Sequence, residues 1–233
     1  MLSCCAMKLS VIIPVYNEVR TLEELVLAVS AVPIEKEIVL VDDGSTDGTR
    51  ELIRRLEPRF KELRVIYHDR NHGKGRAIRT GIAAASGDAL IIQDADLEYN
   101  PADYQVLLGA MRHSGAHVIY GSRFMGRKKV TSIWHRAVNG FLTGLTNILY
   151  RSRLTDMETC YKLFRMDFIK SLSLHADGFE IEVELTARTL LSGERIIEAP
   201  VSYHGRSYHE GKKIGWKDGV KAVTRLFRYR FTK

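Results

Sequence analysis

The chain has 233 residues, 45% of them hydrophobic, which suits one α/β domain with a sizeable core and excludes a disordered tail protein. Lys and Arg number 35 against 28 Asp and Glu, a net charge of +7, which directs attention to acidic partners: nucleic acid, a phosphorylated substrate or an anionic membrane surface. The surplus is uneven, because residues 1–100 carry 13 basic and 16 acidic side chains (net −3) and residues 101–233 carry 22 and 12 (net +10).

Residues 1–7 read as an N-terminal extension. Cys4 and Cys5 follow only three residues, too few for a signal-peptide apolar region. With Cys160 they give neither a disulfide framework nor a CxxC metal pair, so the expected compartment is the reducing cytoplasm. No run reaches the ~18 to 20 apolar residues that cross a bilayer, so any membrane contact is expected to be peripheral.

From Leu9 onward, strand patterns alternate with helical ones. Apolar, β-branched runs predict strands at Leu9–Pro14, Glu37–Val41, Arg64–Tyr67, Ala89–Ile92 and His117–Tyr120. Amphipathic segments between them predict helices at Leu22–Val32, Thr49–Leu56, Ala77–Ala85 and Ala102–Met111. Thr21 with Glu24 has the form of a capping box, and Ser45 and Asp47 precede the second helix. This is the rhythm of a mostly parallel sheet flanked by helices. After Arg123 come a basic stretch (Arg127, Lys128, Lys129) and a long helix, Ile133–Tyr150, whose apolar residues (Trp134, Val138, Phe141, Leu142, Leu145, Ile148, Leu149) face a core or a membrane. A helix near Glu182–Leu191, a strand at Arg195–Val201 and a basic tail complete the chain. The expected division is a domain over residues 8–213 followed by a basic amphipathic helix over 214–233.

Open α/β sheets bind ligands beyond the carboxyl ends of their strands. Four strands here end in polar, turning sequence: Pro14-Val15-Tyr16-Asn17-Glu18, Asp42-Asp43-Gly44-Ser45, Asn71-His72-Gly73-Lys74-Gly75 and Asp94-Ala95-Asp96. These are expected to converge on one crevice. G-x-G-x-x-G is absent after the first strand and G-x-x-x-x-G-K-[ST] is absent throughout, which argues against a dinucleotide Rossmann site and a P-loop. Asp43 either receives hydrogen bonds from a nucleobase or ribose, or joins Asp42 and Asp47 in capping a turn. Asp94 and Asp96, read as extended, share one face; two such anions favour a hard cation between them, Mg²⁺ or Mn²⁺, with Glu98 as a third ligand. A solvated acidic turn before Pro101 and a glycosidase carboxylate pair are the alternatives.

V-I-I-P-x-Y-N-E, V-D-D-G-S-T-D-G-T, N-x-G-K-G, D-A-D and G-S-R-F, in this order and each after a strand, resemble a GT-A fold inverting glycosyltransferase of family 2. Thr155–Lys162, Glu198-Ala199-Pro200-Val201 and Arg206–Lys212 are similar to its polyprenyl (dolichyl) phosphate mannosyltransferase branch. The resemblance spans about residues 8–220. It implies that Pro14, Tyr16, Glu18, Val41 and Asp43 line the nucleotide pocket, with Lys74 beside it. It implies that Asp94, Ala95 and Asp96 hold metal and diphosphate, and that Glu98 stands where the branch often has Gln. Arg123, Arg206 and Lys212 are implied to neutralise donor or acceptor phosphate, and Arg136 to contact the acceptor phosphate, with Gly140 where relatives often carry Ser. Asp94, Asp96 and Arg123 are the implied catalytic set.

The implied reaction moves a sugar, mannose from GDP-mannose foremost, onto a polyprenyl phosphate, with UDP-glucose or UDP-N-acetylhexosamine as alternative donors. Its lipid acceptor calls for a surface on the cytoplasmic face of a membrane. In the C-terminal helix, Trp216, Val220, Val223, Phe227 and Phe231 share one face, and Lys217, Lys221, Arg225 and Arg228 the adjoining one. That helix, Ile133–Tyr150 or a small membrane-anchoring partner provides the contact; packing on the domain is the alternative for the tail. His204 and His209 read as phosphate neighbours or surface residues, Cys160 as a buried thiol, and Glu180, Glu182 and Glu184 as orienting acceptor-site arginines or as a solvated helix entrance. A nucleotidyltransferase lacks its glycine-rich loop after the first strand. A nucleic-acid-binding domain, suggested by the basic tail, lacks a surrounding motif, so no nucleic acid is expected.

Overall fold

The computed structural model describes residues 7–125, 133–205 and 216–231. Seven strands form one sheet in the order β3-β2-β1-β4-β6-β5-β7: β1 (Leu9–Val15), β2 (Lys36–Asp42), β3 (Leu63–Tyr67), β4 (Ala89–Ile92), β5 (Val118–Ser122), β6 (Lys162–Arg165) and β7 (Ile196–Pro200). All neighbours run parallel except β6, which is antiparallel to both β4 and β5. The helices are α1 (Leu22–Ala31), α2 (Thr49–Leu56), α3 (Lys74–Ala84), α4 (Tyr104–Ser114), α5 (Ile133–Tyr150), α6 (Met166–Ser171), α7 (Ile181–Leu191) and α8 (Trp216–Phe231).

The central strands read as unbroken apolar runs because both faces of the sheet are covered: Val11, Ile12, Ile13, Ile38, Val39, Leu40 and Val41 are all fully buried. At about 25 cal/mol per Å² of apolar surface, this core is the main source of stability. A smaller cluster, Leu142, Leu154, Met157, Val183, Ala222 and Leu226, joins α5, α7 and α8.

The structure departs from the sequence expectation at four points. The Thr21–Glu24 capping box does not form; Thr21 makes no side-chain cap and donates its hydroxyl to the Ala95 carbonyl at 2.7 Å. Residues 94–96 are not extended: the chain turns at Ala95-Asp96, and Leu97 has φ +61°, so the period-two argument for a shared face fails. β6 and α6 were not anticipated, since β6 is only four residues long and carries a fully buried lysine, Lys162, in place of an apolar residue. α3 also starts earlier than its apolar pattern, at Lys74, because Gly73 takes φ +100° and turns the chain into the helix.

Candidate active site

The four strand-end segments meet at the carboxyl edge of the sheet, and hydrogen bonds tie each to the next. Pro14 and Val41 are register partners, as are Val15 and Asp42, which brings the first two turns side by side. Asn17 donates its amide to Ser45 Oγ (3.0 Å) and accepts from the Thr46 amide (2.8 Å), while the Glu18 amide donates to Thr49 Oγ1 (3.0 Å). Tyr16 and Glu18 stand half-buried on this loop. Asp47 accepts from the Thr49 amide and hydroxyl; although burial works the other way, these bonds hold its carboxyl below the usual range.

Asp43 is 3% exposed and ties the second turn to the third. Its Oδ1 accepts from the His72 amide (2.9 Å) and lies 2.7 Å from His68 Nδ1, and its Oδ2 accepts from the Gly73 amide (2.7 Å). Asp42 does the same for its own turn, meeting the Ser45 amide and Arg50 Nε. Gly73 and Gly75 in turn lie against the carbonyls of Asp177 and Ala176, where a Cβ would press directly onto backbone oxygen.

Lys74 closes the ring. Its Nζ reaches Asp94 Oδ1 at 2.7 Å and Oδ2 at 3.0 Å, and Glu182 Oε1 at 3.0 Å. Burial alone would lower the Lys74 pKa, but Asp94 and Glu182 hold it well above the ordinary value. Burial likewise opposes ionisation of Asp94, and Lys74 with the Cys160 thiol outweighs it, keeping the carboxylate charged. Behind this pair, Lys162 Nζ meets Glu182 Oε2 at 2.5 Å and the Thr159 carbonyl. The row Asp94, Lys74, Glu182, Lys162 therefore alternates in sign from the crevice into the core. Gln93 fixes the backbone here: its side-chain Nε2 donates to the Asp94 carbonyl, and its Oε1 accepts from the Tyr104 and Tyr161 hydroxyls, both at 2.6 Å.

On the other flank, Arg123 makes a bidentate pair with buried Asp156, 2.7 Å in each arm, and lies 5.1 Å from the Tyr203 ring centre. Tyr203 donates to Glu98 Oε2 at 2.6 Å, and Asp96 Oδ1 accepts the Glu98 amide at 3.1 Å. Burial works against the charge on Arg123, yet its partners raise its pKa further. Ala95 is buried beneath the Asp96 turn.

The structure thus brings together Pro14, Tyr16, Glu18, Val41, Asp43, Lys74, Asp94, Ala95, Asp96, Glu98 and Arg123. Arg136 is exposed on the first turn of α5, apart from these bonds. Arg206 and Lys212 lie outside the described residues, as do Arg127–Lys129 and His209. Among the described residues no group of three or more His, Cys, Asp or Glu side chains is gathered to hold a metal. Asp94 is already neutralised by Lys74; Asp96 and Glu98, on one turn, provide the hard oxygen donors that Mg²⁺ or Mn²⁺ takes, so the donor chemistry fits such an ion there.

Sequence reasoning missed His68 and Gln93, read Thr21 only as a helix cap, and took Asp156 and Lys162 only as part of the Thr155–Lys162 motif. The acidic entrance to α7 is also reassigned: Glu182 and Glu184 are buried, not solvated, and Glu182 serves lysines rather than arginines. Cys160 is a buried thiol, pushed well up by burial. Among the described residues no helix is long and apolar enough to cross a membrane.

A family model described as glycosyl transferase family 2 matches residues 10–173. The chain is 31% identical over 232 residues to an undecaprenyl-phosphate mannosyltransferase of Micrococcus luteus, covering 96% of this chain and 94% of the relative. It is 29% identical over 215 residues to a dolichol-phosphate mannosyltransferase of Pyrococcus furiosus, covering 90% of this chain and 60% of that longer protein. In three dimensions it is similar to glucosyl-3-phosphoglycerate synthase of Mycobacterium tuberculosis, solved with Mn²⁺, UDP and phosphoglyceric acid: TM-score 0.74 at 20% identity, covering 97% of this chain and 80% of the other. That likeness establishes the GT-A type of sheet and flanking helices.

Proposed function

The chain belongs to glycosyl transferase family 2, and from that premise we propose that it transfers a sugar from a nucleotide diphosphate to a polyprenyl phosphate, with inversion and with a divalent cation. The observation that carries this reading is the closed ring of strand-end loops, Asp43 to Gly73, Lys74 to Asp94 and Thr21 to Ala95. Mannose is the sugar, supported by the names of both mannosyltransferase relatives, and GDP-mannose is the donor that the resemblance to this branch implies. A UDP-sugar donor is the second reading, favoured by the UDP bound in the mycobacterial structure.

Pro14, Tyr16, Glu18 and Val41 flank the nucleotide, while Asp43 acts through the loop it anchors. Lys74 holds Asp94 ionised and turned toward the crevice, so that Asp94 accepts hydrogen bonds from the donor. Asp96 and Glu98 would hold Mg²⁺ or Mn²⁺, which when bound would offset the charge on the leaving diphosphate. An acceptor phosphate with a second pKa of ~6 is largely deprotonated at neutral pH, so its oxygen attacks without a strong general base. Arg123, stacked on Tyr203 and held by Asp156, turns its remaining N–H edge to a phosphate, and Arg136 with Arg206 and Lys212 supplies further positive charge to the acceptor side.

The lipid acceptor places the enzyme on a membrane surface. Phe141 and Ile148 of α5 are 63% and 78% exposed, and Val220, Phe227 and Phe231 of α8 remain exposed because α8 packs through Ala222 and Leu226 instead. Two packed helices thus leave apolar side chains exposed. The reading is tested by incubating the protein with labelled GDP-mannose, UDP-glucose or UDP-N-acetylglucosamine, polyprenyl phosphate and Mn²⁺. Label from GDP-mannose enters the lipid phase if the reading holds, and no lipid labelling from any donor overturns it.

A further inference from the structure

A cleft behind the strand-end ring, made of two adjoining pockets of about 370 Å³ each that share Glu180, Arg225 and Arg228, lies between the loop before α7, α7 itself and α8. Its floor holds an unusual pair. Glu184 is fully buried; its Oε2 accepts from the His175 and Ala176 amides, while its Oε1 has no hydrogen bond and lies 3.7 Å from Arg188 Nε, which also has none. Arg225, at the rim, reaches Glu180 only at 3.6 Å. Lys221 and Arg228 line the same wall, with no acidic partner among the described residues. Four cations therefore face two carboxylates across one opening, a surplus of two positive charges. The third nearby acid, Asp177, is already paired with Arg79.

We propose that this cleft binds the phosphate monoester headgroup of a membrane lipid, with Arg188, Lys221, Arg225 and Arg228 as its donors. The proposal rests on the membrane-surface reading given above. A dianion matches the surplus, and guanidinium groups bind phosphate oxygens in bidentate fashion. The lipid source follows from the geometry of α8. At 100° per residue, Val220, Phe227 and Phe231 fall about a quarter-turn from Lys221, Arg225 and Arg228, so the exposed apolar stripe borders the basic wall. A headgroup held in the cleft leaves its acyl chains against that stripe. The site also abuts the donor loop from behind, since Glu184 grips the backbone of residues 175–176 and the next carbonyls touch Gly73 and Gly75.

The test is co-sedimentation of the full chain, without nucleotide sugar, with phosphatidylcholine vesicles containing either phosphatidic acid or phosphatidylglycerol at matched surface charge. The proposal predicts tighter binding to phosphatidic acid. Lys221→Ala/Arg228→Ala, two exposed positions, weakens that binding by about tenfold or more, while the charge-matched Arg54→Ala/Arg55→Ala on α2 changes it by less than about twofold. Equal binding of the two lipids, or equal losses in the two variants, overturns the headgroup site and leaves the membrane reading standing. Binding to neither vesicle overturns both. Complete displacement from phosphatidic acid vesicles by millimolar inorganic phosphate overturns the lipid source in favour of a free-phosphate site.

Discussion

On the β3-β2-β1-β4 side of the sheet, candidate site residues are fixed mainly by backbone amides, with the Asp42–Arg50 pair as an exception, whereas on the β6-β5-β7 side they are fixed by buried ion pairs. Asp43 is oriented by the His72 and Gly73 amides, and Asp47 by the Thr49 amide. Arg123 is set by Asp156, and Lys74 and Lys162 by Glu182. The amides themselves are presented by turns that form locally, even though Asp43 lies 29 and 30 positions from the His72 and Gly73 amides it accepts. Ion pairs join residues 20 to more than 100 positions apart, so the second region exists only once the chain has folded. Such pairs break even at best when buried, and removing one partner costs far more than the pair contributes.

The sharpest break of this comparison is at the seam, where the two regions share Lys74 and Asp94. Asp94→Ala is expected to lower transfer by about a thousandfold, the scale of losing a key polar contact in a preorganised site, with circular dichroism unchanged. Unaltered turnover in the purified variant would remove Asp94 from the site. Next in size, Lys162→Met leaves Glu182 short of a partner in the core and is expected to cost about 3–5 kcal/mol in urea unfolding, with Lys162→Arg losing much less. If Met and Arg behave alike, the ion-pair account of the second region is wrong.

Gly73→Ala probes the amide-built side, since its φ of +100° and the adjacent Asp177 carbonyl both resist a Cβ. A loss of about 2–4 kcal/mol is expected, together with a raised KM for the donor. A full-activity, fully stable alanine variant would contradict the loop geometry. The smallest effect is at Glu37, on the opposite edge of the sheet. Burial opposes its charge, but Ser10, the Ser86 amide and hydroxyl, and Lys8 outweigh this and hold its pKa at about 2 instead of 4.5. Its folded pKa is depressed, so its stabilisation is present above the unfolded value of 4.5 and fades as pH falls toward about 2. Glu37→Gln should flatten the stability–pH curve across that window, and parallel curves for variant and wild type would refute the assignment.

How much was legible follows the same division. β1 to β5, their helices and the four strand-end turns stand out in the sequence because βα repeats impose period and turn chemistry locally. Thr21 looked like a helix cap, since that pattern is local; its bond to Ala95 spans 74 positions and leaves no mark nearby. Asp94 and Asp96 stand out in the sequence, but their shared face rests on an extended geometry that the turn at Leu97 removes. β6 was hidden by its brevity and by Lys162, whose burial depends on Glu182 from α7. The apolar stripe on α8 was visible, whereas which face packs was not, because that choice is made by α5 and α7.

The central claim, sugar transfer onto a lipid phosphate at the Lys74–Asp94 seam, is tested most directly by one radiolabel experiment on wild type and Asp94→Ala. Purified protein with labelled GDP-mannose, polyprenyl phosphate and Mn²⁺ is predicted to place label in the organic phase, with EDTA abolishing it and Asp94→Ala lowering it about a thousandfold. Organic-phase label that persists undiminished in the variant, or no label with any nucleotide sugar supplied, contradicts the account.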